Sequence, residues 1–293
     1  MPELPEVETV RRGLAPAMEG ARFSKVEARR PDLRWPLPEG FTDLLHGQTV
    51  KGLGRRGKYL LLDLSSGDVL MMHLGMSGSL HVFDGANETN RARYNRERAK
   101  HAAHDHVVFH MSNGAIVTFN DPRRFGFMKL AARDRLDEHP LMKAMGPEPL
   151  GNAFDAAMLA SACKGKKTSL KAALSDQRVV AGLGNIYVCE ALHLARLSPK
   201  RLAASLATRL GQPHERAGRL VAGIKDVLHA AIKAGGSSLR DHRRTDGGLG
   251  DFQHDFRVYD QEGKRCRTPG CRGTIKRIVQ TGRSTFFCPG CQK

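Results

Sequence analysis

The first six residues of the chain carry groups that could do covalent chemistry. Met1 is followed by the small residue Pro2, and a methionine in this position is readily removed, which would leave the secondary amine of Pro2 at the terminus. Glu3 is beside that amine, and Glu6 follows one helical turn later. An α-amino group, with a pKa of about 8, is a better neutral-pH nucleophile towards carbonyl carbon than a lysine at about 10.4. The same residues also suit an ordinary first helical turn, since proline and acidic side chains favour helix N-termini.

Four cysteines near the end of the sequence have the spacing of a metal site. They form two pairs, "CRTPGC" and "CPGC", with a β-rich run between them. Two such knuckles can place four thiolates around one structural Zn²⁺, which leaves no position open for a substrate. Unpaired or redox-active cysteines are the alternative. The predicted ligands are Cys266, Cys271, Cys288 and Cys291.

A large excess of basic residues indicates the kind of partner. The 293 residues include 47 Lys or Arg and 30 Asp or Glu, a formal net charge of +17. This charge favours nucleic acid over an anionic membrane surface or an acidic protein. No apolar run is long enough to span a membrane, and the first residues lack the apolar core of a signal peptide. We therefore expect a cytoplasmic protein that binds no membrane.

The hydrophobic pattern changes along the chain and predicts an α+β fold. Apolar residues at helical spacing indicate a helix over 3–18, and short β-rich runs then indicate an antiparallel sandwich or barrel. A polar, basic loop at about 84–103 interrupts these runs, and a proline-rich boundary precedes helical periods. The predicted domains are an N-terminal β-sandwich with an N-terminal helix at 2–136, a linker at 137–151, a helical domain at 152–236, a glycine-rich connector or lid at 237–259, and a zinc-ribbon hairpin at 260–293.

Six motifs occur in order along the whole chain and together resemble one known family. They read "MPELPEVETV", "GKYLLL", "HLGMSGSL", "DPRRFG", "GLGNIYVCE" and "TGRSTFFCPGCQ". The family is bacterial formamidopyrimidine-DNA glycosylase, which excises oxidised purines such as 8-oxoguanine and then cuts the strand. The resemblance implies a helix–two-turn–helix element at "GLGNIY", one structural zinc ion, and a nucleoid-associated monomer acting on double-stranded DNA with an oxidised base. The C-x4-C knuckle departs from the C-x2-C of many members.

The resemblance also implies chemical roles for individual residues. Pro2 corresponds to the nucleophile that attacks C1′ of the damaged nucleotide, and Glu3 to the catalytic acid. Lys58 corresponds to a lysine that assists β-elimination and holds phosphate, with an exposed strand lysine as the alternative. Arg283, at the tip of the ribbon hairpin, corresponds to an arginine linked to phosphate contact and δ-elimination, with a solvated turn arginine as the alternative. Glu6 is expected to orient the site by hydrogen bonding to backbone amides.

Further positions correspond to DNA contacts in the family. A stacked base cannot reach a nucleophile until it is rotated out of the duplex, and the space that it leaves must be filled. By resemblance, Met76 fills the hole, Phe125 inserts between bases and Arg123 points to the orphaned cytosine, whereas spacing alone would favour core packing for Met76 and Phe125. The predicted DNA-binding residues are His73, His104, Arg123, Lys166 and Asn185.

Two other functions stay open at this point. A sister enzyme of the same fold, similar to endonuclease VIII, would remove oxidised pyrimidines. Leu4 in "MPELPE" and the "DPRRF" motif favour the purine enzyme. A non-enzymatic zinc-ribbon DNA-binding protein would need the charge and the ribbon, but it would have no use for Pro2 beside Glu3.

Overall fold

Apolar side chains at helical spacing make the first element a helix. The computed structural model describes residues 2–83, 102–238, 245–246, 248 and 250–293. The helix α1 spans Leu4–Met18 and confirms the prediction for this segment. Its inner face consists of side chains that are each at most 1% exposed: Leu4, Val7, Val10 and Leu14.

Eight strands in the described part of the chain form two four-stranded antiparallel sheets. Their orders are β1-β6-β7-β5 and β2-β3-β4-β8. Both contribute to one hydrophobic core together with α1, which confirms the predicted sandwich with an N-terminal helix. A short helix, α2, spans Phe41–Leu45. The strands are β1 Phe23–Ala28, β2 Val50–Arg56, β3 Tyr59–Leu64, β4 Asp68–His73, β5 Ser79–Phe83, β6 Asp105–Met111, β7 Ile116–Asn120 and β8 Phe127–Ala132.

The middle strands of the second sheet are apolar along almost their whole length. β3 reads "YLLLDL" and β4 reads "DVLMMH", and most of these residues are buried on both faces. A strand that alternates apolar and polar residues would instead have one face exposed to solvent. These buried strands form a rigid base for the turns at their ends, where the candidate site residues lie.

The described chain divides into two compact units. The N-terminal unit contains Met1–Lys143 and Ala234–Asp251, and the C-terminal unit contains Ala144–Lys233 and Phe252–Lys293. Most of the predicted basic loop, at 84–101, lies outside the described residues, as do 239–244, 247 and 249 of the predicted lid. The domain boundaries inferred from the sequence stay a prediction.

Capping side chains and apolar faces define the helices of the C-terminal unit. Asp155 and Ser169 accept backbone N–H groups at the starts of two of them. The longest of the described helices buries one apolar face and ends before two glycines with positive φ. None of the helices among the described residues has the length and apolar run to cross a membrane. The helices are α3 Ala156–Cys163, α4 Leu170–Ser175, α5 Asn185–Leu194 and α6 Glu215–Lys233, and the hairpin strands are β9 Lys276–Gln280 and β10 Arg283–Phe287.

Two consecutive turns connect α4 to α5. The first is closed by the N–H of Val179, which donates to the carbonyl of Asp176 at 2.9 Å. The Gln177 side chain holds the second, because it accepts the N–H of Gly182 at 2.8 Å and donates to the carbonyl of Leu183 at 2.8 Å. This arrangement sets the position at which α5, with Asn185 as its first residue, begins.

Candidate active site

The N-terminus of α1 places two carboxylates in buried positions. Pro2 is buried, and Glu3 and Glu6 are only 3% and 2% exposed. The Glu3 side chain accepts the N–H of Glu6, while Glu6 Oε2 accepts the N–H of Glu3 at 2.9 Å. This reciprocal capping satisfies two backbone donors that α1 itself cannot pair. It also fixes the backbone on either side of Glu3, directly after Pro2.

The second carboxylate oxygen of Glu6 holds a distant part of the chain. Oε1 accepts both the N–H and the O–H of Ser237, at 2.7 and 3.0 Å. Gly236 has φ +80, and a Cβ there would lie 3.1 Å from Glu6. The amide hydrogen bonds expected of Glu6 are therefore present, and one of them joins α1 to the start of the 237–250 segment.

Lys58 lies in a tight turn and not within a strand. Gly57 and Lys58 form the two-residue connection between β2 and β3, with Arg56 paired to Tyr59. Gly57 has φ +56 and occupies the first central position, as in a type II′ hairpin turn. The Lys58 side chain is only 7% exposed. The alternative of an exposed strand lysine therefore does not describe this residue.

His73, the last residue of β4, is held as a neutral hydrogen-bond donor. Its ring stacks on Phe127 with a centroid distance of 5.2 Å and an angle of 11°. Nδ1 accepts the N–H of Gly75 at 3.0 Å, so the ring proton is on Nε2. Burial, and then the positive charges of Lys58 and Arg34, lower the pKa of His73 to about 4. Nε2–H can therefore donate to an oxygen acceptor at neutral pH without a change in charge.

Two neighbouring turns present apolar side chains to solvent. Met76 lies in the β4–β5 turn (residues 74–78) and Phe125 in the β7–β8 turn (residues 121–126), and they are 40% and 42% exposed. The Arg123 guanidinium lies 4.8 Å from the centre of the Phe125 ring. Gly75 has φ +63, and a Cβ there would lie 2.3 Å from the carbonyl carbon of Phe125, so the close approach of the two turns requires glycine. Their exposure excludes the core alternative for Met76 and Phe125.

A residue that the sequence did not single out joins these two turns. Asp121 is completely buried and accepts the O–H of Ser77 at 2.6 Å and the N–H of Gly126 at 2.8 Å. The Ser77 oxygen in turn accepts the N–H of Arg123 at 3.2 Å. The motif "DPRRFG" indicates a turn that begins with a carboxylate. The hydrogen-bond partner of this carboxylate is Ser77 in "HLGMSG", 44 residues away, so the motif alone does not reveal the contact. Asp121 therefore fixes the β4–β5 turn relative to the β7–β8 turn.

His104 lies next to the same network through its backbone. It ends the 3₁₀ turn Ala102–His104, and its carbonyl accepts the N–H of Asp121 at 3.0 Å. Its side chain is half-buried. The N-terminal unit thus carries nine of the residues predicted from the sequence: Pro2, Glu3, Glu6, Lys58, His73, Met76, His104, Arg123 and Phe125.

In the C-terminal unit, the predicted DNA-binding residue Asn185 is hydrogen-bonded to the residue that follows Arg283. Asn185 begins α5, and its Nδ2 donates to the carbonyl of Ser284 at 2.8 Å. Thr281 and Gly282 both have positive φ, 48° and 72°, as in a type I′ hairpin turn, so Arg283 follows directly after the tip and is exposed. Arg283 therefore lies in the hairpin, one residue past the tip at which it was expected. Lys166 is half-buried in the turn after α3.

The four predicted metal ligands converge in the C-terminal unit. Their sulfur atoms all lie within 4.8 Å of one another, with 3.8 Å between Cys266 and Cys291 and 3.6 Å between Cys271 and Cys288. A tetrahedral Zn²⁺ with Zn–S bonds of about 2.3 Å has S–S edges of about 3.8 Å. The cluster therefore fits one structural zinc ion, and the prediction of a four-cysteine site is confirmed.

Family models match three consecutive parts of the chain. Residues 1–128 match the formamidopyrimidine-DNA glycosylase N-terminal domain. Residues 145–243 match the formamidopyrimidine-DNA glycosylase H2TH domain. Residues 263–293 match a zinc finger found in FPG and IleRS.

Relatives and solved structures extend this similarity over the whole chain. A formamidopyrimidine-DNA glycosylase of Rhodopseudomonas palustris (strain BisB18) is 69% identical over 293 residues, with 100% of both chains covered. The crystal structure of the MutM (FPG) protein of Thermus thermophilus is 39% identical, with a TM-score of 0.81, and the match covers 99% of this chain and 98% of that one. A Lactococcus lactis FPG mutant in complex with DNA that contains Fapy-dG is 33% identical, with a TM-score of 0.83 and full coverage of both chains.

We expect Asp121→Asn to destabilise the N-terminal unit by about 1–3 kcal/mol, because one carboxylate oxygen becomes an NH2 group that cannot accept from Ser77 or Gly126. Trp35 is the single tryptophan of the sequence, so its fluorescence during urea unfolding reports on this unit. Asp63→Asn is the matched control, because Asp63 forms an ion pair with Arg133 at a partly exposed site. The control should change the free energy of unfolding by less than about 1 kcal/mol. Equal unfolding midpoints for the two variants would contradict the role of Asp121.

We expect the imidazole of His73 to titrate with a midpoint near 4 in the free protein, because burial and nearby cations disfavour its charged form. The measurement is the pH dependence of the histidine ring signals in ¹H–¹³C NMR spectra, with His73→Gln used to assign the resonance. A midpoint at the ordinary value of about 6.5 would show that His73 carries charge in weakly acid solution.

Proposed function

The chain belongs to the formamidopyrimidine-DNA glycosylase family, and from this premise we propose that it excises oxidised purines from double-stranded DNA and then cleaves the strand. The observation that carries the proposal is the buried Pro2–Glu3 terminus of α1 in a chain 69% identical to a formamidopyrimidine-DNA glycosylase. The formal net charge of +17 supports a polyanionic substrate.

The proposed reaction begins with Pro2 as a secondary amine. Its nitrogen forms a bond to C1′ of the damaged nucleotide and loses its own proton, while the bond from C1′ to the base breaks with its electron pair on the base, which takes up a proton. Cleavage of the C1′–O4′ bond, with a proton delivered to O4′, opens the sugar and leaves a cationic iminium at C1′. The reaction consumes no oxidant and no further cofactor.

The iminium makes the following strand cleavage possible. Because the cation acidifies the C2′ proton, loss of that proton expels the phosphate on C3′, which is β-elimination. Loss of the C4′ proton then expels the phosphate on C5′, which is δ-elimination. Water finally hydrolyses the iminium and returns the free amine of Pro2.

Glu3 is the carboxyl group best placed for the proton transfers. It is adjacent in sequence to Pro2 and only 3% exposed, and its backbone is fixed by the capping hydrogen bonds with Glu6. A positioned acid or base of this kind contributes about 10²–10⁴-fold to a rate. We assign Glu3 as the acid for O4′, and Glu6 as the residue that positions it.

The remaining positions of the N-terminal unit are assigned to DNA. Lys58 is a buried cation near His73, and together they supply a charge and a neutral N–H for backbone phosphates. We assign Lys58 to β-elimination as well. Met76 is assigned to the space left by the rotated base and Phe125 to the adjacent base step, where apolar side chains unstack bases at a cost of a few kcal/mol. Arg123 is assigned to the orphaned cytosine.

The C-terminal unit is assigned to phosphate binding. Arg283 follows a rigid two-residue turn, and its guanidinium can donate two hydrogen bonds to one phosphate. Asn185 donates one amide N–H to Ser284 and has a second N–H for a phosphate oxygen. We assign Lys166 and His104 to further phosphate contacts. The protein is proposed to act as a monomer in the bacterial cytoplasm, associated with the nucleoid.

We expect borohydride to trap a covalent adduct on Pro2 when the protein is mixed with a duplex that holds 8-oxoguanine opposite cytosine, because reduction of an iminium is irreversible. Mass spectrometry of the digested complex locates the adduct, and an abasic-site duplex checks catalytic competence.

Glu3→Gln should lower the rate of base excision at least about 100-fold, while Glu39→Gln, at an exposed position of the same unit, should leave this rate unchanged.

Three outcomes of this experiment would overturn parts of the proposal. Full strand cleavage of the 8-oxoguanine duplex without any trapped adduct on Pro2 would remove the covalent mechanism. An adduct on the abasic duplex but none on the oxidised purine would indicate an enzyme directed to oxidised pyrimidines. Tight binding of both duplexes without any adduct would indicate a DNA-binding protein.

We expect Met76→Ala to slow excision from duplex DNA by about tenfold, because an alanine cannot occupy the space of the rotated base and restacking competes with capture. Cleavage at a preformed abasic site should change less, since no base has to be expelled. Single-turnover rates on both substrates measure this difference. Leu44→Ala is the control, because Leu44 is an apolar side chain of the same unit that is 52% exposed. Equal losses on the two substrates would argue against the role of Met76.

A further inference from the structure

Three residues on one face of α5 contact the zinc ribbon. Asn185, Cys189 and His193 are four residues apart and therefore lie on one side of the helix. Asn185 donates to the carbonyl of Ser284 in the hairpin. Cys189 is 1% exposed and packs in a cluster that includes Cys266 and other ribbon side chains. His193 reaches the metal ligands themselves, about 12 Å along the helix axis from Asn185.

His193 makes a hydrogen bond to a zinc ligand. Its ring is 2% exposed, and Nε2 lies 3.4 Å from Cys266 Sγ and 3.1 Å from Thr268 Oγ1. A zinc-bound thiolate has lone pairs but no proton, so Nε2 must be the donor towards Cys266. Nδ1 is buried and has no hydrogen-bond partner among the described residues. The polar contact of this ring is thus directed at the metal site.

Thr268 belongs to the long C-x4-C knuckle and extends the same network. Its N–H donates to Cys266 Sγ at 3.5 Å, and its Oγ1 lies 3.8 Å from Cys291 Sγ. With thiolate ligands, the hydroxyl donates to Cys291 while its oxygen shares the Nε2–H of His193. The longer knuckle therefore supplies a residue that connects two ligands with α5.

We propose that His193 and Thr268 donate hydrogen bonds to the zinc thiolates, which stabilises these ligands and holds the ribbon against α5. Four thiolates around Zn²⁺ carry a net charge of −2, and each N–H or O–H donor reduces the electron density on a sulfur atom. Hydrogen bonds of this kind orient metal ligands and strengthen binding. The inference concerns zinc retention, so it can fail or hold independently of the proposed enzymatic activity.

The test compares zinc release from the full-length, zinc-loaded protein and three variants, using a chromophoric chelator in excess. His193→Leu removes the donor but keeps an apolar side chain, and it should release zinc about 10–100-fold faster than the parent protein. His193→Gln can place an amide N–H near the position of Nε2, and it should stay within about threefold of the parent rate. His229→Leu is the control for a histidine substitution, because His229 is exposed on α6.

Cobalt substitution separates a hydrogen bond from a packing effect. Loss of a donor to sulfur raises the energy of its lone pairs, so the thiolate-to-Co²⁺ charge-transfer band of His193→Leu should move to longer wavelength, while that of His193→Gln should not. Thr268→Val, with its own loss of a donor, should shift the band in the same direction even if His193→Leu fails to fold by circular dichroism. Parent-like zinc release by folded His193→Leu, or an unshifted band in both donor-deleting variants, would overturn the proposal.

Discussion

The two carboxylate oxygens of Glu6 set the constraint on which the rest of the candidate site depends. One oxygen accepts the N–H of Glu3, and the other accepts both donors of Ser237. A buried carboxylate is stable only when its oxygens are hydrogen-bonded, so neither connection can be lost without cost. The start of α1, and with it the backbone that carries Pro2, is thereby held in one place. The proposed nucleophile, Pro2, gains from this position, because a loosely held amine would lose the benefit of fixed orientation towards its substrate.

Three other candidate groups lie in turns between strands, where a neighbouring glycine permits an unusual backbone conformation or a close contact. Lys58 follows Gly57 in a two-residue hairpin, and Arg283 follows Gly282 in another. Met76 follows Gly75, where a side chain would collide with the neighbouring turn. Buried strands do not move easily, and short turns transmit that rigidity to the side chains at their tips. Lys58 is buried, whereas Met76 and Arg283 are exposed, and each lies on a turn that allows little backbone freedom.

Local features of this molecule could be predicted from the sequence, whereas long-range contacts could not. The spacing of residue types within a short stretch of sequence predicts three of these features. They are the inner face of α1, the hairpin turn that precedes Arg283, and the four zinc ligands. The roles of Asp121 and His193 depend on partners that are 44 and 73 residues away, so no local pattern identifies them. Lys58 shows a different difficulty: a lysine next to a hairpin glycine is expected to be solvated, and its burial arises from the surrounding fold.

The contact between Glu6 and Ser237 also determines when the N-terminal unit can be completed. The partners are 231 residues apart, and the whole of 144–233 is made between them. During synthesis, a domain formed from one continuous segment can fold as soon as that segment has left the ribosome. Here the contact that secures the start of the first helix has to wait for residues 234–251, which are made after more than three quarters of the 293 residues. A fragment that ends at Lys143 would therefore contain every strand of the sandwich and still lack the segment that secures the α1 terminus, so the nascent protein cannot complete the contact at Glu6 before residues 234–251 are made.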